Sequence, residues 1–202
     1  MPIIGSLAGA SSRGLGGLRT FIPPIPPSSP VFDSISTSFL TSSTPDIYFN
    51  SIPSTYQHLQ FRINGFSDNF GSIFMRINGD TDVNMYSSTG YWGQWNQANA
   101  QVSGILTGRP AILPGVGSFQ FGTTYPYVMI IDVLDYKNTN KKKNIRSFHG
   151  ASTNGTHYND GVGVSGGNYN STTAINSVHF YLDGGNVFRA NTRIALYGIK
   201  ES

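Results

Sequence analysis

The sequence predicts an all-β protein: an antiparallel β-sandwich, jelly-roll-like, with an extended N-terminal arm. Three observations predict it. Between His58 and Gly79 one strand is written twice, since HLQFRING and GSIFMRING share the ending Arg-Ile-Asn-Gly at 62–65 and 76–79. In each copy apolar residues alternate with mostly polar ones, Leu59, Phe61 and Ile63 in the first and Ile73, Met75 and Ile77 in the second, a period of two. Runs of this kind recur from Asp33 to the C-terminus between Gly, Asn, Ser and Pro punctuation, and none reads as an amphipathic helix of about ten residues or more. A strand with one apolar and one polar face belongs to an antiparallel sheet that covers a core on one side. The short Gly/Asn/Asp/Ser link between the two copies predicts a hairpin or two consecutive meander strands.

Taken in order, the chain opens with a glycine-rich segment, 1–20, that matches no regular period and is expected to be disordered on its own. Residues 21–32 follow as a proline-rich spacer; the five prolines of FIPPIPPSSP favour an extended polyproline conformation. Arm and spacer are expected to project from a domain spanning 33–202. The arm's scattered Ile3, Ile4, Leu7, Leu15, Leu18 and Phe21, with Arg13 and Arg19, read as anchors of a docking peptide whose small residues let its backbone lie flush on a partner.

Within the domain, strands are predicted near Ser36–Thr41, Asp46–Asn50, Gln57–Asn64, Ser72–Asn78, Val83–Ser88, Gln101–Thr107, Gly117–Thr123, Val128–Tyr136, Lys143–Phe148, Ala174–Leu182 and Thr192–Ile199. Val128–Leu134 is apolar on both alternations apart from Asp132, which predicts a centrally buried strand. Two segments exceed an ordinary hairpin loop, Tyr86–Ala100 and His149–Thr173, and long loops on a rigid sandwich are where recognition tends to sit.

Composition narrows the function classes. Charged residues are 11% of the chain and the net charge is +3, so the surface is neutral and rich in hydroxyls and amides. Two arginines in an arm do not make a nucleic-acid footprint, and no nucleic-acid partner is expected. The chain has no cysteine, which removes disulfides, thiolate zinc sites and thiol nucleophiles. No run has the length and apolarity of a membrane span or an export signal, so a soluble protein without membrane insertion is expected.

The best candidate ligand site is the first long loop, with Tyr86, Tyr91, Trp92, Trp95 and Asn96. Large rigid aromatic area beside amide hydrogen-bonders suits a sugar or a protein surface; alternatively, the tryptophans fold back as a small core for their own loop. Asp80, Asp82 and Asn84 place three oxygens at alternate positions as a calcium loop does, but the required Gly and Glu are Met85 and Tyr91 here, so this is a weak metal candidate beside an ordinary turn. Gly163-Val-Ser165-Gly-Gly167 fits a nucleophile elbow and Gly161, Gly163 and Gly166 fit a dinucleotide fingerprint. Both lack the strand-to-helix context and sit in a glycine-dense stretch, so no cofactor, no catalytic residue and no enzyme activity are expected. His58, His149, His157 and His179 show no metal-ligand spacing and are expected at the surface. Lys141–Lys143 reads as a solvated turn, and the glycosylation acceptor patterns at Asn154 and Asn170 as incidental.

Several stretches together resemble virion structural proteins of tailed bacteriophages, particularly those of marine cyanophages: IGSLAGASSRGLG in the leader, FNSIPSTYQHLQFRING, FMRINGDTDVNMYSS, MIIDVLDYKNTNKKKNIRSFHG, and the ending IALYGIK. The resemblance implies a β-sandwich module placed on a particle as a fibre, a tail or neck accessory, or a capsid decoration, with the leader as its attachment end. Virion localisation, partners among capsid, neck or tail proteins through residues 1–30, and a symmetric homo-oligomer, here a trimer, follow as expectations. The reading from another class is a carbohydrate-binding module in which the Trp92/Trp95 loop holds a host surface glycan.

Overall fold

The computed structural model describes residues 31–69, 71–94, 101–109, 111–114, 126–151 and 161–200, with backbone alone at Gln94 and 101–106. The arm anchors from Ile3 to Phe21, together with Trp95, Asn96, His157, Asn154 and the strand expected at Gly117–Thr123, lie outside the described residues. From Phe32 onward the chain forms one compact unit.

That unit is an all-β sandwich of two antiparallel sheets. Its strands are β1 (Phe32–Phe39), β2 (Asp46–Phe49), β3 (His58–Gly65), β4 (Ile73–Ile77), β5 (Tyr86–Gln94), β6 (Gln101–Leu106), β7 (Tyr127–Leu134), β8 (Lys143–Ala151), β9 (Gly161–Tyr169), β10 (Val178–Leu182) and β11 (Arg193–Ile199). The large sheet runs β1-β11-β3-β7-β8-β9-β5-β6 and the small one β2-β10-β4. The pairing is that of a rolled-up ribbon, in which first meets last: β1 pairs with β11, β2 with β10, β3 with β7, and β4 with an isolated bridge at Ile112. That is jelly-roll pairing. The remaining strands, β8, β9, β5 and β6, continue the large sheet beyond β7.

The duplicated strand is not a hairpin. β3 lies in the large sheet between β11 and β7, and β4 lies in the small sheet beside β10. Each copy has one apolar face, and both faces are best buried by turning toward each other across the core. Leu59, Phe61 and Ile63 thus meet Ile73, Met75 and Ile77 in one cluster. Phe61 fills the centre, edge-on to Phe49 at 5.3 Å and to Phe180 at 5.1 Å from the facing sheet. Truncating such a ring to alanine costs about 3–5 kcal/mol.

The described residues of both long loops expected from the sequence are mostly strand. Tyr86–Gln94 is β5 and Gly161–Tyr169 is β9, paired along their full lengths. Glycine and serine hid the pattern, and their small size has a structural reason. The inner faces of β5, β8 and β9 carry Ser88, Gly90, Ser147, Ser165, Gly163 and Gly167. The segment Ala111–Pro114 lies close against Ser88, Ser147 and Gly167, at the last of which a Cβ would lie 3.0 Å from Ile112. Ser88 Oγ accepts from the Leu113 amide at 3.0 Å and Ser147 donates to the Pro114 carbonyl, so the serines satisfy the backbone of the segment that covers them.

The KKK turn is not wholly solvated. Lys143 is fully buried, with its Nζ donating to the carbonyls of Asn138, Lys141 (2.9 Å) and Thr172 (3.1 Å). The histidines also depart from expectation. His149 is buried, and His179 is largely shielded and bonded to Asp46 at 2.6 Å. His58 accepts from the Asp135 amide at 2.9 Å.

Candidate functional site

Alternation along β5 decides where the predicted aromatic site goes. Tyr86, Ser88, Gly90 and Trp92 turn inward, whereas Ser87, Thr89, Tyr91 and Gly93 turn outward. Tyr86 is buried, stacks on Tyr169 at 5.2 Å, and donates to the carbonyls of Asp80 (3.0 Å) and Ile77 (3.3 Å). Burial raises its pKa far above the ordinary phenol value. Trp92 is half-buried against the core, with Nε1 shielded from solvent. Of the described candidates only Tyr91 faces outward with its ring exposed, so β5 separates the residues that the sequence groups as one loop.

The Asp80–Asn84 oxygens are occupied in a turn. Asp80 accepts from the Asp82 amide at 2.9 Å and from the Tyr169 hydroxyl at 2.9 Å; Asp82 accepts from the Asn84 amide at 2.9 Å and caps the short 3-10 turn Val83–Met85. Gly163-x-Ser165-x-Gly167 lies within β9, so Ser165 points into the sandwich rather than from an exposed elbow.

The outer face of β7, β8, β9 and β5 is the feature that sequence reasoning missed. Strand register lines up Tyr91, Val164, Phe148 and Ile130 in one row across the four strands. The adjacent row reads Gly93, Val162, Gly150 and Val128. The six side chains in these rows are 41–58% exposed. Tyr91, Gly93, Phe148, Val162 and Val164 line a shallow groove of about 210 Å³ there. On the other side of the first row lie Thr89, Gly166, Arg146 and Asp132, where the surface becomes polar. Arg146 pairs with Asp132 at 3.0 Å, Gln60 donates to Asp132 at 2.8 Å, and Arg62 donates to Gln60 at 2.8 Å, giving a hydrogen-bonded border. The signal was present in VMIIDVL, whose double alternation reflects a strand with one face on the core and the other apolar in solvent.

Beneath this face sits His149, whose pKa burial lowers to about 4, stacked on the buried Tyr127 at 6.1 Å. Farther along the same strands a cleft of about 590 Å³ is lined by Asn84, Asn144, Asn168 and Asn170, with Lys142 at its edge. On the small sheet, Tyr48 stacks on His179 at 4.3 Å and Phe74 on Tyr181 at 5.3 Å, His179 and Tyr181 meet tilted at 5.0 Å, and Arg76 lies over Tyr181 at 4.8 Å. Among the described residues no three His, Asp or Glu side chains gather as a metal-holding group.

No protein-family model and no curated protein matches this chain. Among solved structures it is similar to the marine PL-14 alginate lyase from Aplysia kurodai, at 13% identity over 71% of each chain with a TM-score of 0.26, a likeness too distant to carry an argument.

Proposed function

We propose that this chain is a non-enzymatic structural protein of a virion, of the tailed-bacteriophage kind its sequence resembles. In this reading residues 1–30 join it to capsid, neck or tail proteins, and the sandwich is displayed as a fibre, an adaptor or a decoration. The observation that carries the assembly reading is the apolar outer face of β7, β8, β9 and β5. Six side chains, each about half exposed, present on the order of 500 Å² of contiguous apolar surface, near the upper end for the largest patch on a monomer. Tyr, Phe, Val and Ile in a strand-registered array match a protein surface better than a polar ligand, which would leave their area uncompensated.

The test is peptide mass spectrometry on density-purified particles made with the full chain or with a chain lacking residues 1–30. Stoichiometric full chain and loss of the truncated chain are expected. Absence of the full chain from particles overturns the virion reading, and normal incorporation of the truncation overturns the role of the arm.

A second reading, binding of a host surface glycan, is favoured by the amide-lined cleft rather than by Trp92. Four asparagines each offer a donor and an acceptor, as polyhydroxyl recognition requires. Loss of glycan-array binding on substituting Asn144 and Asn168 by alanine would support it; a chain that binds no glycan before substitution overturns it.

A further inference from the structure

We infer that the apolar outer face is a self-complementary interface on which a second copy of this chain packs about a twofold axis. The inference rests on the assembly reading only in taking this face as protein-contacting, and it names the partner and the symmetry.

The observation that carries it is the order of large and small residues. On β5 and β8 an aromatic precedes a glycine by two positions on the same face, Tyr91 before Gly93 and Phe148 before Gly150. On β9 and β7 the corresponding pairs are aliphatic throughout, Val164 with Val162 and Ile130 with Val128. The four pairs lie side by side in two straight rows.

Consider a twofold axis lying in this face, across the strands and midway between the rows. It lays each strand antiparallel over its own copy and exchanges the rows. Phe148 then sits over the partner's Gly150, Tyr91 over the partner's Gly93, Val164 over the partner's Val162 and Ile130 over the partner's Val128. Every facing pair combines either a ring with a glycine or two aliphatic residues of middle size, so the gap between the sheets has nearly uniform thickness. Sheets packed face to face lie about 10 Å apart with their strands nearly aligned, and uniform filling of that gap is what such packing needs. The open recess is at Gly93, where a Cβ would meet nothing within 4 Å. Gly150 is itself buried, a Cβ there lying 3.4 Å from the Gly161 carbonyl oxygen, 3.5 Å from Val162 and 3.9 Å from Val128, so the partner's Phe148 ring rests on the two valines over a position with no side chain of its own.

The area is sufficient. Two copies bury on the order of 1,000 Å² in total, at the threshold for a specific interface and in the range of weak, concentration-dependent association. The hydrogen-bonded border of Arg62, Gln60, Asp132 and Arg146 then serves as a polar rim. An isologous contact of this kind closes at two copies, in place of the trimer expected from the sequence.

The test is sedimentation equilibrium on the full chain and three variants, with circular dichroism to verify folding. The wild type is expected to show a monomer–dimer equilibrium. Phe148→Asp puts a charge at the centre of the face and should weaken association at least about tenfold. Gly93→Leu fits the free monomer and adds apolar area, so a merely sticky patch would associate more tightly; in the twofold it occupies the partner tyrosine's place and should weaken association by about the same factor. Combining Tyr91→Ala with Gly93→Leu reopens that space and should recover part of the loss. A wild type monomeric up to its solubility limit, an oligomer other than a dimer, or a Gly93→Leu chain that associates as tightly as wild type overturns the inference. A monomer that is nonetheless found on particles removes the twofold and leaves the virion reading standing, whereas a dimer absent from particles does the reverse.

Discussion

Gly163 on β9 has no side chain because the ring of His149 on β8 occupies the place where one would go: a Cβ there would lie 2.5 Å from His149 Nε2 and 3.0 Å from the Trp92 Cβ. The two residues are directly paired across the strands, and both face the interior. A polar aromatic ring thus lies beneath the apolar outer face, and its charge state is tied to folding.

Acid should therefore cost this protein stability through His149. Burial lowers its pKa in the fold to about 4 from an unfolded value of 6.5. The unfolded chain takes up the proton first as pH falls, so this stability is complete above 6.5 and is lost progressively down to about 4. The difference corresponds to about 3 kcal/mol. Urea unfolding at pH 7 and pH 4.5 should show a markedly steeper loss in wild type than in His149→Gln. Equal losses in the two proteins would show that His149 is not the group responsible.

Gly163→Ala should destabilise by about 3 kcal/mol, because the new methyl must displace a buried ring or the base of Trp92. Gly93→Ala, also on the large sheet but with open space above it, is the control and should change stability by less than about 1 kcal/mol. The comparison is made by thermal and urea unfolding. If Gly163→Ala is as stable as the control, the contact is softer than the geometry indicates.

How much of this was legible in the sequence depends on what each residue's neighbours reveal. Period-two alternation identified β3, β4, β10 and β11, because each presents large apolar residues to the core at every second position. β7 was read from its unbroken apolar run as centrally buried, whereas only one of its faces is covered and Val128 and Ile130 are exposed on the other. It did not reveal which strands pair. Arg-Ile-Asn-Gly at 62–65 ends a strand flanked on both sides, whereas at 76–79 Asn78 and Gly79 take positive φ values of 52° and 69° and turn the chain, with Asn78 accepting from the amides of Asn176 and Ser177. Identical words take different conformations because contacts distant in sequence decide them. β9 escaped notice because, apart from Tyr169, its inner residues are glycine and serine, with Gly163 facing the His149 ring and Gly167 facing Ile112, so the alternation carries no hydrophobic signal. The candidate site was legible only as aromatic residues; the row that joins Tyr91 to Phe148 and Ile130 exists only once three sheet registers are known.

Lys143 offers a further test. Its ammonium is buried among three backbone carbonyls, from Asn138, Lys141 and Thr172, and so fastens the turn after β7 to the segment after β9. Burial pulls its pKa below the ordinary lysine value, while the carboxylate of Asp135 acts in the opposite direction. Lys143→Met removes the donors and leaves buried acceptors unmet, which should cost about 3 kcal/mol in urea unfolding at pH 7. Lys143→Arg should recover little of it, since a planar fork cannot point at three carbonyls arranged around one nitrogen. Full stability in Lys143→Met would mean that water or relaxation satisfies those carbonyls.

Alkaline pH probes the opposite end of β9. The Tyr169 hydroxyl donates to Asp80 at 2.9 Å, and burial followed by that bond raises its pKa to about 12. Because the folded value lies above the unfolded value of 10.0, the associated stability is complete below pH 10 and is lost as pH rises toward 12. Tyr169→Phe breaks the bond to Asp80, which should cost about 1–2 kcal/mol at pH 7. The variant should also lose less stability than wild type between pH 9 and pH 11. A Tyr169→Phe chain with unchanged stability at pH 7 would mean that Asp80 holds its turn through the Asp82 amide alone, and an unchanged alkaline loss would assign that loss to Tyr86, whose hydroxyl is bonded to the carbonyl of the same aspartate.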